Sequence, residues 1–211
     1  NKVFATEVQG YVMDEGVQIH GGYGFTSEYT IERLYRDCRV YRIFEGTNEI
    51  NRTVITSTLV RRGLKGDIPL KEAIEGLRAR LASGIGPRQN EGELVQAAKD
   101  MLLLSLGVGI DKYGQGLLKH QEIVGKIADM AMLTFGMESG WLRAQKALAN
   151  TGEADARIKL NMARVFINSA IGTIFNLAKE VLAGLASGEE LAGLLADLQK
   201  LCQYTPSNTI A

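Results

Sequence analysis

Apolar residues recur at helical spacing through most of the chain. Phe4, Val8 and Val12 stand at four-residue steps, with Met13 and Val17 widening the stripe, so the periodicity predicts an amphipathic helix over 2–19. Gly10 and Gly16 each cost such a helix roughly 1 kcal/mol of intrinsic propensity, so packing against neighbours must hold it. After the turn Gly21-Gly22-Tyr23-Gly24, Thr26 or Ser27 is placed to cap a short helix through Glu32-Arg36. A loop leads to Ile43-Phe44-Glu45. Ile50, Val54, Ile55, Leu59 and Val60 then predict a second long helix over 48–62, ended by Gly63 and Gly66. Asp67-Ile68-Pro69 turns into a further helix over 70–82.

The pattern stops between Ser83 and Gly92, where SGIGPRQNEG is rich in glycine, proline and polar residues and has no period. Beyond it, helices are predicted over 93–108, 115–148, 153–185 and 187–204, the last with Ser187 as cap and Glu189 and Glu190 in its first turn. The expected fold is all-α. Its divisions are 1–66, a short helix and linker over 67–92, and a separate helical domain over 93–211. Of the longest apolar runs, Met101–Leu106 is too short to span a membrane and Val165–Ala186 is interrupted by Asn168, Asn176, Lys179 and Glu180. Between Ile158 and Leu185 apolar residues cover more than one face, which predicts burial on several sides, with Leu94, Met101, Ile127, Met130, Phe135 and Leu142 as matching surfaces. Asn161, Asn168 and Asn176, at near-heptad spacing, predict polar contacts between packed helices or, equally, a seam with a partner chain.

Composition narrows the functions open to such a chain. Its 211 residues are 45% apolar, enough to fill a core, and 24 basic residues balance 24 acidic ones. Zero net charge gives no field to draw in nucleic acid. Cys38 and Cys202 lack metal-like spacing and suit a reducing compartment. His20 and His120 read as structural, so no metal site is expected. Arg33, Arg36, Arg39 and Arg42 recur every third residue with Glu32 and Asp37 among them, predicting a surface ion network. The chain opens on Asn1 with no signal-like segment and reads as part of something longer. Cytoplasm is the default location, or the mitochondrial matrix for a protein that has lost a transit peptide.

Two stretches carry candidate chemistry. The glycines at 21, 22 and 24 let a ligand approach the main chain closely, although a helix C-cap explains them equally well. Thr47 has the chemistry of an N-cap for the helix that begins Asn48-Glu49-Ile50. Glu45 and Gly46 therefore sit on the entry turn, a carboxylate close to free backbone N–H groups.

Gln-x-x-Gly-Gly-x-Gly-Phe from Gln18, Glu-Arg-x-x-Arg-Asp from Glu32 and Ile-Phe-Glu-Gly-Thr-Asn-Glu-Ile from Ile43 together resemble the C-terminal signature of the acyl-CoA dehydrogenases. These are FAD-dependent enzymes that desaturate fatty acyl thioesters. A proline that commonly precedes the Glu-Arg pair in that family is absent from Tyr29-Thr30-Ile31. The resemblance implies a chain carrying the last helices of the family's C-terminal four-helix bundle, without the upstream helices and β domain. A helical extension past the signature resembles the very-long-chain branch. Glu45 then corresponds to the general base, its pKa raised by burial among Ile43, Phe44 and an acyl chain, and its backbone N–H to the hydrogen bond on the thioester carbonyl. Gln18, Gly21, Gly22 and Gly24 correspond to a turn that reaches the FAD pyrophosphate of the neighbouring subunit. Thr47 and Glu49 correspond to cofactor contacts on the chain's own subunit.

The resemblance further implies a fatty acyl-CoA substrate, an electron-transfer acceptor protein, a homodimer in which the extension blocks tetramer formation, and peripheral membrane contact. It also implies that this stretch alone binds no FAD. The alternative expectation is a non-catalytic helical module for assembly or membrane docking.

Overall fold

The computed structural model describes residues 1–209 and is all-α; among these residues the only bridge between extended segments joins Arg88 and Tyr204. Ile210 and Ala211, the end of the expected C-terminal domain, lie outside the described residues. The helices are α1 (Lys2–His20), α2 (Thr30–Val40), α3 (Asn48–Lys65), α4 (Leu70–Ser83), α5 (Glu91–Tyr113), α6 (Gln121–Leu185) and α7 (Gly188–Leu201). Short 3₁₀ turns occupy Gly21–Phe25 and Gly114–Lys119. Two compact units, Asn1–Ile55 and Thr56–Ala211, divide within α3. The segment 67–92, read from sequence as a short helix and linker between domains, lies inside the second unit.

In the first unit α1 packs through its glycines on α2 and on the turn that follows it. The Arg42 guanidinium lies where a methyl on Gly10 would be 3.3 Å away, and Ile31 closes on Gly16. The two residues that weaken α1 as an isolated helix are thus its points of closest approach. The expected inner stripe is largely outside, since Val8 and Val12 are exposed and Val3 and Gly10 are buried. Indeed Val3 and Cys38 are the only apolar side chains buried in this unit, while fifteen large apolar or aromatic ones, Tyr11, Ile19 and Phe25 among them, are exposed. α2 begins at Thr30 with Tyr29 before it and no side-chain cap, so neither Thr26 nor Ser27 caps it. The Thr26 hydroxyl instead donates to the Tyr23 carbonyl at 3.1 Å. Among the described residues the expected arginine network shrinks to one ion pair, Arg36 with Glu32.

The second unit is built around α5, whose Leu94, Val95, Ala97, Ala98, Met101, Leu104 and Leu106 are all buried. Asn90 and Glu93 form a reciprocal cap at its start: Glu93 N–H donates to Asn90 Oδ1 at 3.0 Å and Gln89 N–H donates to the Glu93 carboxylate at 2.7 Å. The cap starts the helix at Glu91, and Gly114 (φ 54°) ends it at Tyr113, so it outruns the expected 93–108 at both ends. α6 breaks at Gly152 (φ 78°, ψ 173°) and is an antiparallel hairpin, because Lys126 of its first arm pairs with Glu180 of its second and Ile123 packs by Gly184. Both arms face α5, contributing Met130, Met137, Ile167, Ile171, Ile174, Ala178 and Leu182 to the core. A window of α6 is long and apolar enough to cross a membrane by composition, and 39% of it is buried inside the unit. Phe135 and Leu142, expected in the core, are exposed, and so are Ile158, Met162 and Val165. Asn161 and Asn176 also lie on the exposed face, whereas Asn168 accepts the Ser207 N–H at 3.1 Å.

A smaller core gathers Val60, Leu70, Ile74, Leu117, Ile127, Val181 and Leu185, and within it the Thr56 hydroxyl donates to the Val124 carbonyl at 2.8 Å. The irregular segment before α5 is clamped. Arg88 N–H donates to the Gln203 carbonyl at 2.7 Å, its guanidinium reaches Asp100 at 3.3 Å, and Arg80 and the Gln96 amide converge on the same buried carboxylate.

Candidate functional site

α1 separates the two sequence candidates. Its nineteen residues run about 28 Å at 1.5 Å per residue. The glycine turn follows its C-terminus, and the Glu45 turn is tied to its N-terminus by Lys2. A single compact ligand on one chain does not meet both.

At the glycine turn, Gly21 ends α1 with φ 58° and its N–H bonds the Gln18 carbonyl. Gly21 and Gly22 are exposed, with no atom within 4 Å of where a side chain would begin, so their backbone is open to close approach. Gly24 differs. It is buried, and a methyl there would press on the Val17 carbonyl, so its absence of side chain serves packing of the turn on α1. The Gln18 side chain is exposed, and Tyr23, Tyr29 and His20 form a ring cluster beside the turn, with Tyr23 and Tyr29 centroids 5.3 Å apart.

At the other end, the chain leaves α2, turns at Ile43 and Phe44, and enters α3 through Glu45-Gly46-Thr47. Glu45 has φ 54°, the one non-glycine among the described residues in the left-handed region, and Gly46 follows at 78°. This is a backbone that L side chains adopt at a cost. It persists because its carbonyls are held from two sides. The Asn51 side-chain amide donates to the carbonyls of Gly46 (2.7 Å), Thr47 (3.1 Å) and Glu45 (3.4 Å), and Lys2 Nζ donates to Gly46 O at 2.9 Å and to Asn48 Oδ1 at 2.8 Å. Buried Asn48 in turn donates to Thr6 and Glu7, and Glu7 takes a two-pronged contact from Arg52 at 2.8 and 2.9 Å. Lys2 and Asn51 are not legible from sequence, because each acts across the turn on a backbone carbonyl rather than through a motif position, whereas Asn48 stands within the motif and acts through the side chains of Thr6 and Glu7.

The Glu45 carboxylate is exposed and has no partner among the described residues, and its backbone N–H donates to none of them. Ile43 and Phe44 are themselves about half exposed, at 51% and 46%. The desolvation expected from them is therefore not supplied by this chain. Thr47 caps α3 by accepting the Ile50 N–H at 3.3 Å. The Glu49 carboxylate is held below the usual carboxylate range by its own backbone N–H and by the Thr47 hydroxyl. Both side chains are thus committed first to the start of α3.

A cleft of about 890 Å³ lies in the second unit between α4, α5 and α7, floored by Leu77, Leu104 and Leu194, with Arg78, Asp111 and Asp197 on its rim. No sequence candidate lines it. No group of three or more potential metal ligands occurs among the described residues.

Residues 1–60 match one family model described as "Acyl-CoA dehydrogenase, C-terminal domain", and residues 97–200 match a second with the same description. A probable acyl-CoA dehydrogenase of Bacillus subtilis is 42% identical over the whole chain. The rat very long-chain specific acyl-CoA dehydrogenase, mitochondrial, is 32% identical over 71% of the chain, which covers 22% of that protein. Among solved structures, an acyl-CoA dehydrogenase complexed with FAD from Bacillus anthracis superposes over the whole chain with a TM-score of 0.95 and 44% identity. The chain spans 36% of the length of both Bacillus proteins.

Proposed function

Because the chain belongs to the acyl-CoA dehydrogenase family and is a portion of its C-terminal part, with a very-long-chain-like helical extension, we propose that it supplies the catalytic base of an FAD-dependent desaturation of fatty acyl-CoA. One observation carries this reading: Glu45 is held in the left-handed conformation by its neighbours while its carboxylate and its N–H are left free. A strained carboxylate with no structural employment is what a positioned base requires. In this reading the Glu45 N–H donates to the thioester carbonyl, which acidifies the α-carbon, and the carboxylate takes the α-proton as the Cα–Cβ double bond forms. FAD, when bound, accepts the hydride that leaves the β-carbon.

The residues fit that cofactor unevenly. Gly21 and Gly22 offer open backbone beside Gln18 for a pyrophosphate, and the length of α1 supports their acting on a neighbouring subunit's FAD in a homodimer, far from their own Glu45. Gly24 serves that turn indirectly, by letting it pack. Thr47 keeps its hydroxyl near the start of α3, while Glu49, an anion, suits a hydroxyl or amino group of the cofactor better than a phosphate.

The desolvation that raises the pKa of such a base would come from the bound acyl chain and from the parts of the bundle that cover the exposed apolar face of the first unit. The electrons pass on to an acceptor protein, in keeping with the family. The two free cysteines suit a reducing compartment, in keeping with a cytoplasmic enzyme.

The test uses colour. Full-length protein should be yellow and should bleach anaerobically when a fatty acyl-CoA is added, and residues 1–211 alone should bind no FAD by calorimetry. A full-length flavoprotein that no acyl-CoA bleaches would overturn the reading, and micromolar FAD binding by the isolated stretch would overturn the claim that its site is partial.

A second reading, docking at a membrane surface, rests on the far end of the α6 hairpin. There Leu142, Ile158, Met162 and Val165 are exposed among Arg143, Lys146, Arg157 and Lys159. It is compatible with the first, because it uses a different part of the chain.

A further inference from the structure

We infer that Asn51 is a positioning residue for the reaction, aiming the Glu45 carboxylate through the backbone; this rests on the reading of Glu45 as the base. The carboxylate makes no hydrogen bond or ion pair with the described chain, so what this chain fixes is the backbone from which the side chain departs. That backbone is in a conformation a glutamate does not adopt unaided. Asn51 is the residue that spans it. Its main-chain N–H bonds Thr47 O at 2.9 Å, which anchors it in the first turn of α3, while its side chain folds back over the entry turn. There Nδ2 faces three successive carbonyls at 2.7, 3.1 and 3.4 Å.

An amide nitrogen has two hydrogens and accepts nothing, so it suits a concave row of carbonyls that would otherwise repel one another. By fixing the carbonyls of Glu45 and Gly46 it fixes the peptide plane between them, and with it the direction of the Glu45 Cα–Cβ bond. Gly46 leaves room for this: a methyl there would lie 3.2 Å from Nδ2. Lys2 supports the same carbonyl from the N-terminus of α1.

The experiment compares Asn51→Leu and Asn51→Asp, which lose the donor, with Asn51→Gln, which keeps it, in the full-length holoenzyme. Flavin reduction by a saturated acyl-CoA is followed by stopped flow, with and without deuterium at the α-carbon. Loss of the donor should slow reduction about 10–100-fold, as for a displaced reacting group. It should leave KM within about threefold, keep the flavin content, and enlarge the α-deuterium isotope effect. Asn51→Gln should recover to within about threefold of the parent.

Parent rates and isotope effects in Asn51→Leu and Asn51→Asp, equal slowing in all three variants, or loss of flavin from both donorless variants would each overturn the inference. Glu45→Gln measured alongside separates the two readings. If that variant turns over, the base assignment fails. If it is dead while Asn51→Leu keeps the parent rate, only the positioning role fails.

Discussion

Glu45→Gln in the full-length enzyme is expected to lower the rate of flavin reduction by acyl-CoA about 10²–10⁴-fold, the span that loss of a positioned general base commonly produces. The amide preserves size and leaves the turn intact, since the carbonyls that Asn51 and Lys2 hold belong to the backbone. It also leaves the Glu45 N–H able to polarise a thioester. Only the capacity to take a proton is lost. Flavin content and acyl-CoA affinity should therefore stay near the parent values, measured by absorbance and by equilibrium titration. A variant that reduces its flavin within tenfold of the parent rate would remove Glu45 from the role.

Asp100→Ala is expected to cost about 3–5 kcal/mol, because it breaks a buried ion cluster from its anionic side. Asp100 is 1% exposed and takes Arg80, Arg88 and the Gln96 amide. The Arg88 guanidinium, itself largely buried, would keep a single 3.4 Å contact to the Leu201 carbonyl. At 2–4 °C per kcal/mol for a unit of this size, the transition of the helical extension should fall on the order of 10 °C, read by calorimetry on the full-length protein. Asp111→Ala is the control. It removes the partner of Arg78 from an exposed pair, where a change below about 1 kcal/mol is expected. Similar shifts for the two variants would refute the buried cluster as a staple of the extension.

The sequence made the helices legible because their apolar periods are long, and it made Thr47 legible as a cap because capping is local chemistry. Faces were harder to read. The stripe of Val8 and Val12 is periodic but exposed in the described chain, whereas Gly10 and Gly16, read as weaknesses, are where α1 meets Arg42 and Ile31. Periodicity says that a face is apolar and leaves open what covers it. The asparagines of the second α6 arm show the same limit: heptad spacing suggests a seam, and within this chain the seam is the row of Ala163, Ile167, Ala170, Ile171 and Ile174, with Asn161 and Asn176 on the exposed side.

At the site, the motif marked Glu45, yet the residues that hold it, Lys2 and Asn51, act through side chain to carbonyl bonds that leave no pattern. The segment 83–92 looked like a linker from its glycines and proline. The one available hint of its real role was Asp100, a carboxylate among Ala97, Ala98 and Met101, since an acid at such a place needs cations brought to it.

The hairpin of α6 outruns its supports. α5 begins at Glu91, which pairs with Arg164, and Trp141 lies against Gly92. The arms between about 142 and 163 therefore face mainly each other, and the residues buried there are Ala144, Ala147, Ala156 and Ala163. Alanines allow close approach but bury little area, so this end is a two-stranded zipper with few teeth. It should fray inward from Gly152 without disturbing the rest, each opened turn releasing only the turn opposite. In deuterium exchange of the full-length protein, amides of 145–160 should label well before those of 167–182. Equal protection in the two segments would mean that something outside this chain grips the end.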